Sequence, residues 1–174
     1  MLGLIGFGNI PRALAPKAKV LGLRVVAHDP YIPREVLASA GVEGMSFDDL
    51  LALADFVSIH APLSPATRGL FNSQVFGKMK TGALLINTAR GPLVDEDALT
   101  AALDSGHLGG AALDVVATEP LAASSKLIGR DNVILTPHTA FYSVEALNEL
   151  QTKCASDVAR VLCGEPPVYP VKAT

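Results

Sequence analysis

Short apolar runs alternate with amphipathic stretches along the whole chain. Leu2–Ile5 is apolar throughout and breaks at a glycine turn, after which residues 12–22 carry Leu14, Ala15, Ala18 and Leu21 at the spacing of one helix face. Residues 23–28 form a second strand that ends at Asp29-Pro30, and a short helix around 33–39 leads to a brief extended segment near 42–45. Ser46 is placed to cap a helix running to about 53, with Asp48 and Asp49 in the first turn, where acidic groups complement the helix dipole. Further strands are predicted at 55–59, 83–87, 110–114 and 132–135, with helices near 73–79 and 95–105. A long final helix over about 142–163 repeats Val144, Leu147, Leu150, Cys154, Val158 and Val161 at helical spacing. Strands that are apolar along their length need cover on both faces, so the alternation predicts an α/β fold with a doubly wound parallel sheet.

That architecture gives the polar stretches a common address. In such a sheet the loops after the strands' carboxyl ends lie along one edge, and ligands bind there where the strand order reverses. Gly6–Pro11, Asp29–Tyr31, His60–Pro62, Thr88–Gly91, Asp114–Glu119 and Pro137–Thr139 each follow a strand. Polarity scattered at random would fall on both edges.

Composition narrows the class further. A chain of 174 residues can bury a core of its own, and a net charge of −3 without any basic cluster argues against a nucleic-acid partner. No apolar run approaches the roughly 18 residues that span a membrane, and no basic segment with a cleavage site opens the chain, so the expected location is the cytoplasm. Cys154 and Cys163 fall nine residues apart on one predicted helix, unable to face each other as a disulfide or metal pair. Small apolar filler in a reducing compartment is the expected role.

Two sets of residues carry candidate chemistry. Gly6 and Gly8 occupy the first two positions of a G-x-G-x-x-G fingerprint, where a side chain would obstruct a tight turn or a pyrophosphate. The third position is Pro11, which pre-sets a helical dihedral but adds a ring where the helix meets the strand. A glycine turn between strand and helix needs no ligand by itself. Asp29, however, lies 21 residues beyond Gly8, where a carboxylate accepts from ribose hydroxyls and repels a 2′-phosphate, favouring NAD over NADP. An Asp before Pro is also a common turn former. Asp114, at another strand end, either caps its turn or orders the loop against a nicotinamide.

Arg90, Glu119 and His138 form the second set. Hydride transfer to a 2-oxo acid needs a cation to hold the carboxylate and an acid to protonate the carbonyl oxygen. Arg90 suits the first task and His138 the second, while a carboxylate at Glu119 would favour imidazolium and fix which ring nitrogen faces the substrate. Singly, each is also an ordinary loop residue. His28 and His107 read as structural or solvated.

Several ordered stretches together resemble the NAD-binding domain of the D-isomer-specific 2-hydroxyacid dehydrogenases. They are Gly3 to Ile10, Ile86 to Glu96 (Ile-Asn-Thr-Ala-Arg-Gly-Pro-Leu-Val-Asp-Glu), Gly109 to Val115, Glu119-Pro120 and Leu135 to Ser143. Asp29-Pro-Tyr31 and His138-Thr-Ala-Phe-Tyr-Ser143 are most similar to the branch holding the C-terminal-binding-protein corepressors and their bacterial relatives. The resemblance implies a Rossmann domain with Arg90 on the substrate carboxylate, His138 as acid/base and Glu119 as its partner. It places Gly6, Phe7, Gly8, Asn9, Ile10, Pro11, Asp29, His60, Ala61, Pro62, Thr67, Thr88, Ala89 and Asp114 at the cofactor, NAD. No metal is implied, and the partners are a small 2-oxo or 2-hydroxy acid and a second copy of the chain, a homodimer through this domain.

Family members also carry a substrate-binding domain built mostly from residues before the glycine turn. Here the first strand begins at residue 2, so the expectation is an NAD-binding domain at 1–141, the substrate-binding domain absent, and a helix and tail at 142–174 returning toward it. The parent protein would be an enzyme, the isolated chain inactive, and the tail around Pro166–Pro170 poorly ordered. A non-catalytic NAD-sensing module, as in the corepressors, is the competing reading.

Overall fold

The computed structural model describes residues 1–170. They form two compact units, Met1–His138 and a second from Thr139 onward. The first is built on seven parallel strands: β1 (Leu2–Ile5), β2 (Val25–His28), β3 (Glu43–Gly44), β4 (Phe56–Ile59), β5 (Leu84–Asn87), β6 (Gly110–Leu113) and β7 (Val133–Leu135). They lie in the order β3-β2-β1-β4-β5-β6-β7. The chain winds outward from β1 to β3 and then returns to the other side of β1, so the switch point falls between β1 and β4.

The strands are short, and six of the seven end in phase; β3 stops one residue earlier, with Gly44 paired to Ala27. Ile5 pairs with both His28 and Ile59, Ile59 with Asn87, Asn87 with Leu113, and Leu113 with Leu135. The loops that follow therefore start from one row, as the sequence pattern predicts.

Alternation along the strands divides the core. Leu2, Leu4, Val25 and Ala27 pack with Ala15 and Ala18 of α1 (Asn9–Val20) and Leu37 of α2 (Arg34–Ser39). Ile5, Val26, Val57 and Leu85 face the other way, onto α3 (Phe47–Leu53), α4 (Ser73–Lys78) and α5 (Glu96–Asp104). Cover on both faces, expected for the whole sheet, is incomplete at its far end. Ile86, Ala112 and Ile134 share a register row that neither α1 nor α2 reaches; the first two are half-buried and Ile134 is 67% exposed.

Local chemistry explains the helix ends. Ser46 accepts the Asp49 amide at 3.1 Å, capping α3 as expected, and Asn72 and Asp95 cap α4 and α5 in the same way. Helix α1 starts at Asn9, three residues before the predicted start, because Gly8 serves as its N-cap. Its end is fixed by paired bonds, Gly22 N–H to Lys19 and Leu23 N–H to Ala18, a Schellman closure that turns the chain into β2. Leu21 is thereby thrown off the helix and is 80% exposed, so it does not belong to the buried face predicted for it.

The second unit holds α6 (Val144–Leu162), capped by Ser143, which accepts the Ala146 amide at 3.0 Å. None of its residues is buried. Cys154 and Cys163 are exposed, which corrects the expectation that they fill a packed core. The tail lies against the helix at Val168 and Tyr169. Asp157 accepts the Val168 and Tyr169 amides at 2.9 Å each, and the Lys153 ammonium stands 5.1 Å from the centre of the Tyr169 ring. Among the described residues no helix is long and apolar enough to cross a membrane.

One close approach in the first unit sets a stability test. A Cβ built on Gly91 would lie 1.9 Å from the Val116 carbonyl carbon and oxygen, whereas one on Gly77, in α4, meets nothing within 4 Å. Gly91→Ala is expected to lower the unfolding free energy by about 2–3 kcal/mol or more. Gly77→Ala should raise it by about 0.5–1 kcal/mol. Urea unfolding of both variants checks the opposite signs.

Candidate functional site

The glycine turn leaves β1 at the switch point and passes close to the β4 loop. Gly6 has φ of +93°, and a Cβ on it would sit 3.0 Å from the His60 carbonyl group and the Ala61 amide, so both conformation and space require glycine. Gly8 is different. A Cβ there would touch no atom of the chain within 4 Å, which leaves open space before the first turn of α1. No side chain caps that turn. Uncapped amides at a helix start, with nothing between them and solvent, make an anion site of the kind a pyrophosphate fills. Pro11 is buried in the first turn, where a backbone N–H would have no intrahelical partner, so the ring costs α1 no hydrogen bond. Phe7 is buried beneath the turn, and Asn9 and Ile10 are exposed at its mouth.

Asp29 binds the turn from the neighbouring strand. Its Oδ2 accepts the Phe7 amide at 2.8 Å and its Oδ1 the Tyr31 amide at 2.9 Å. The turn-forming role is thus real, and the same carboxylate ties the β2 loop to the glycine turn.

Beyond β4, His60 is half-buried, and its Nε2 lies 2.9 Å from the Ser58 hydroxyl. Burial pushes its imidazole down to about 4. The ring is accordingly neutral at physiological pH. Ala61 and Pro62 follow it. The Thr67 hydroxyl donates to the Pro62 carbonyl at 2.7 Å and accepts the Ser64 amide at 2.8 Å, so Thr67 closes this loop upon itself.

The loops after β5, β6 and β7 interlock. Buried Asn87, which sequence reasoning missed, accepts the Ala89 amide at 3.0 Å and donates to the Arg90 carbonyl at 2.9 Å, fixing the Thr88–Arg90 turn. A polar residue ending an apolar strand was the available signal. The exposed Arg90 guanidinium donates to the Ala89 carbonyl at 2.6 Å. Gly91 then brings this segment against Val116.

His138 Nδ1 lies 2.8 Å from Glu119 Oε2, so the structure brings two of the three predicted chemical residues into direct contact. Arg90 stands on the adjacent loop. The Glu119 carboxyl is held below the usual carboxylate range by its bond to His138 first and the Val116 amide second. His138 takes a left-handed backbone conformation, φ +55°, with its N–H bonded to the Asp114 carbonyl at 2.9 Å. Such a conformation is uncommon outside glycine, and histidine is among the residues that tolerate it. Asp114 is buried and its Oδ1 accepts the Thr136 hydroxyl at 2.5 Å, so it orders the β6 and β7 loops together. A cavity of about 640 Å³ opens beside the pair, walled by Val116, Leu121, Ile128 and Leu135. His28 and His107 are structural, bonded to the carbonyls of Met45 and Phe76.

The chain has relatives of known description in sequence and in fold. The sequence profile described as D-isomer specific 2-hydroxyacid dehydrogenase, NAD binding domain, matches residues 1–140. D-3-phosphoglycerate dehydrogenase 2, chloroplastic, of Arabidopsis thaliana is 46% identical over 164 residues, covering 94% of this chain and 26% of the relative. The (S)-sulfolactate dehydrogenase of Chromohalobacter salexigens is 48% identical over 162 residues, 92% of this chain and 52% of the relative. The chain therefore spans about a quarter to a half of the length of these curated relatives. Among solved structures, a holo form of Rhodotorula graminis D-mandelate dehydrogenase superposes with a TM-score of 0.90 at 35% identity, over 99% of this chain and 51% of that one. D-lactate dehydrogenase with NAD+ from Lactobacillus jensenii gives 0.87 at 32% identity, over 99% and 55%.

The buried imidazole sets a pH test. Because the folded-state value lies below the ordinary 6.5, the unfolded chain binds the extra proton, and stability from the neutral ring is present above about pH 6.5 and lost as pH falls toward 4. His60→Gln should remove this component, worth at most about 3 kcal/mol, and flatten stability between those limits. Urea unfolding of both proteins at pH 7, 5.5 and 4 measures the difference.

Proposed function

The chain belongs to the D-isomer specific 2-hydroxyacid dehydrogenases, as their NAD-binding domain, and on that premise we propose that it is the nucleotide half of an enzyme moving a hydride between NAD(H) and a D-2-hydroxy or 2-oxo acid. One observation carries the reading. A histidine–carboxylate pair, Glu119 and His138 at 2.8 Å, stands on the same sheet edge as an arginine loop and a glycine turn with open space before its helix.

The residues fit the cofactor. The α1 start with Gly6, Phe7, Gly8, Asn9, Ile10 and Pro11 would hold the pyrophosphate, and Asp29 the adenosine ribose through the lone pairs its two amide bonds leave. His60, Ala61, Pro62 and Thr67 line the crevice from the β4 side, with Thr88, Ala89 and Asp114 toward the nicotinamide. When bound, NAD supplies the hydride donor or acceptor. The remaining work falls to this chain's side chains. Arg90 grips the substrate carboxylate with two parallel bonds and polarises the adjacent carbonyl. His138 delivers a proton to the carbonyl oxygen in reduction and takes it back in oxidation. Glu119, on the far ring nitrogen, stabilises the imidazolium and keeps Nε2 turned outward.

The second half of the cleft comes, in this reading, from sequence beyond these residues, since the matched relatives are two to four times as long as the region they share. The second unit, from Thr139 onward, is proposed to lead toward that domain. The resemblance also supports a homodimer through the nucleotide domain, and the composition supports a cytoplasmic location. The relatives described above are dehydrogenases, which favours an enzyme over a corepressor-like NAD sensor.

Two experiments test the proposal. In fluorescence titrations the 174-residue chain should bind NADH roughly tenfold or more tightly than NADPH, and Asp29→Ala should erase the preference. The same chain should turn over pyruvate or glyoxylate little, because orientation between two domains supplies roughly 7–11 kcal/mol of the barrier reduction; equal dinucleotide affinities would remove Asp29 from the ribose. In the full-length protein, Glu119→Gln should lower kcat for carbonyl reduction by roughly tenfold or more, and Arg90→Lys should raise KM for the 2-oxo acid by roughly tenfold or more while leaving NADH affinity in place. An unchanged kcat in Glu119→Gln would detach Glu119 from the proton transfer.

A further inference from the structure

Glu96 opens α5 but does not cap it. That task belongs to Asp95, whose Oδ1 accepts the Ala98 amide at 3.0 Å. The half-buried Glu96 side chain turns instead to another loop, where Oε1 accepts the Ala117 amide at 2.6 Å. Ala117 sits in the turn that leads to Glu119. Next to it, the Val116 amide donates to Glu119 Oε1 at 3.2 Å, and Glu119 Oε2 meets His138. The same turn is pinned on its other side by Gly91, whose Cα leaves no room for a side chain against the Val116 carbonyl. Glu96 and Gly91 thus come from one segment, Gly91 to Glu96, with Gly91 against Val116 and Ala117 and Glu96 bonded to Ala117.

We propose that Glu96 is a positioning residue for the Glu119–His138 pair: by latching the Ala117 amide it holds the turn in the conformation from which Glu119 reaches His138. A bond to a carboxylate is among the stronger kinds, and here it replaces the water that an exposed loop amide would otherwise bind. The latch also joins the Arg90 loop to the Glu119 loop, so the two sides of the substrate's carboxyl and carbonyl groups are set by one piece of backbone. This rests on the reading of Glu119 and His138 as the proton-transfer pair, but the contact itself is measurable without turnover.

Glu119 is faced by His138 from the β7 loop, by Asp114 from the end of β6 and by the Val116 amide of its own turn, and its carboxyl is held low mainly by the first and next by the last. Releasing Ala117 should loosen the Val116 bond and weaken the grip on His138. Carboxyl-detected NMR of the 174-residue chain reads the outcome. In Glu96→Ala, the Glu119 midpoint should rise toward the ordinary carboxylate value and the Val116 and Ala117 amides should exchange roughly tenfold or more faster, while NADH affinity at the distant glycine turn stays unchanged. Glu96→Gln keeps an oxygen that accepts from Ala117 and should restore most of the protection. In the unaltered chain, a scalar coupling across the hydrogen bond from Ala117 N–H to the Glu96 carboxylate carbon is expected, and this measurement stands even where Glu96→Ala fails to fold. A folded Glu96→Ala chain with an unmoved Glu119 midpoint, or an absent coupling, would overturn the latch. Failure of the proton-transfer reading would show separately, as a full-length Glu119→Gln enzyme with an unchanged kcat beside an intact Glu96 latch.

Discussion

Six parallel strands that end in one row are the constraint on which the rest of this structure depends. The ladder pairs Ile5, His28, Ile59, Asn87, Leu113 and Leu135 across the sheet, so the next residue of each of these strands is the first of a loop on the same edge. Hydrogen bonding between backbones enforces that row, and the two-residue side-chain period then decides which of its members face each core. A slip of one residue in β5 would turn Asn87, and with it the Arg90 turn that it braces, to the other face of the sheet. Chemistry at this edge is therefore a consequence of register before it is a consequence of side-chain identity.

The edge is stiffened by contacts between loops that come from different strands. Asp29 ties the β2 loop to the glycine turn, Gly91 abuts Val116, and Asp114 joins the β6 loop to Thr136, while Asn87 braces the Arg90 turn of its own strand. All are short polar bonds or direct backbone contacts. Loops carry function when a rigid scaffold positions them, and here the scaffold extends past the strand ends into the loops themselves. In the proposed reaction the substrate's carboxylate and carbonyl oxygen lie only a few ångströms apart, so the groups proposed to meet them must be placed within a fraction of that distance.

Solvent access separates His60 from His138 on this edge. His60 is half-buried beside Ser58, and burial drives it neutral. His138 is exposed and paired with Glu119 at 2.8 Å. The same residue type is thus placed in two different electrostatic settings after β4 and after β7 of one sheet.

Periodicity was enough to read the sheet, its helices and the shared edge, because apolar runs and caps such as Ser46 are local signals that burial rewards directly. The glycine spacing, Asp29 and the ordered motifs were legible as well, and with them the family. What the sequence could not show was which residues meet across the fold. Leu21 kept helical spacing but fell beyond the Schellman closure of α1, an ending decided by backbone bonds rather than by pattern. Pro11 looked like an obstacle to the turn until its place in a first helical turn showed that no bond was lost. Glu96 read as a helix-start acid, since its partner, the Ala117 amide, is 21 residues away in sequence and meets it only in the folded chain; Asn87 read as a strand-end amide, although its partners, the Ala89 amide and the Arg90 carbonyl, follow it closely in sequence. Local pattern determines elements because it acts through neighbours in sequence; the site was decided by contacts between segments, which exist only once the strands have paired.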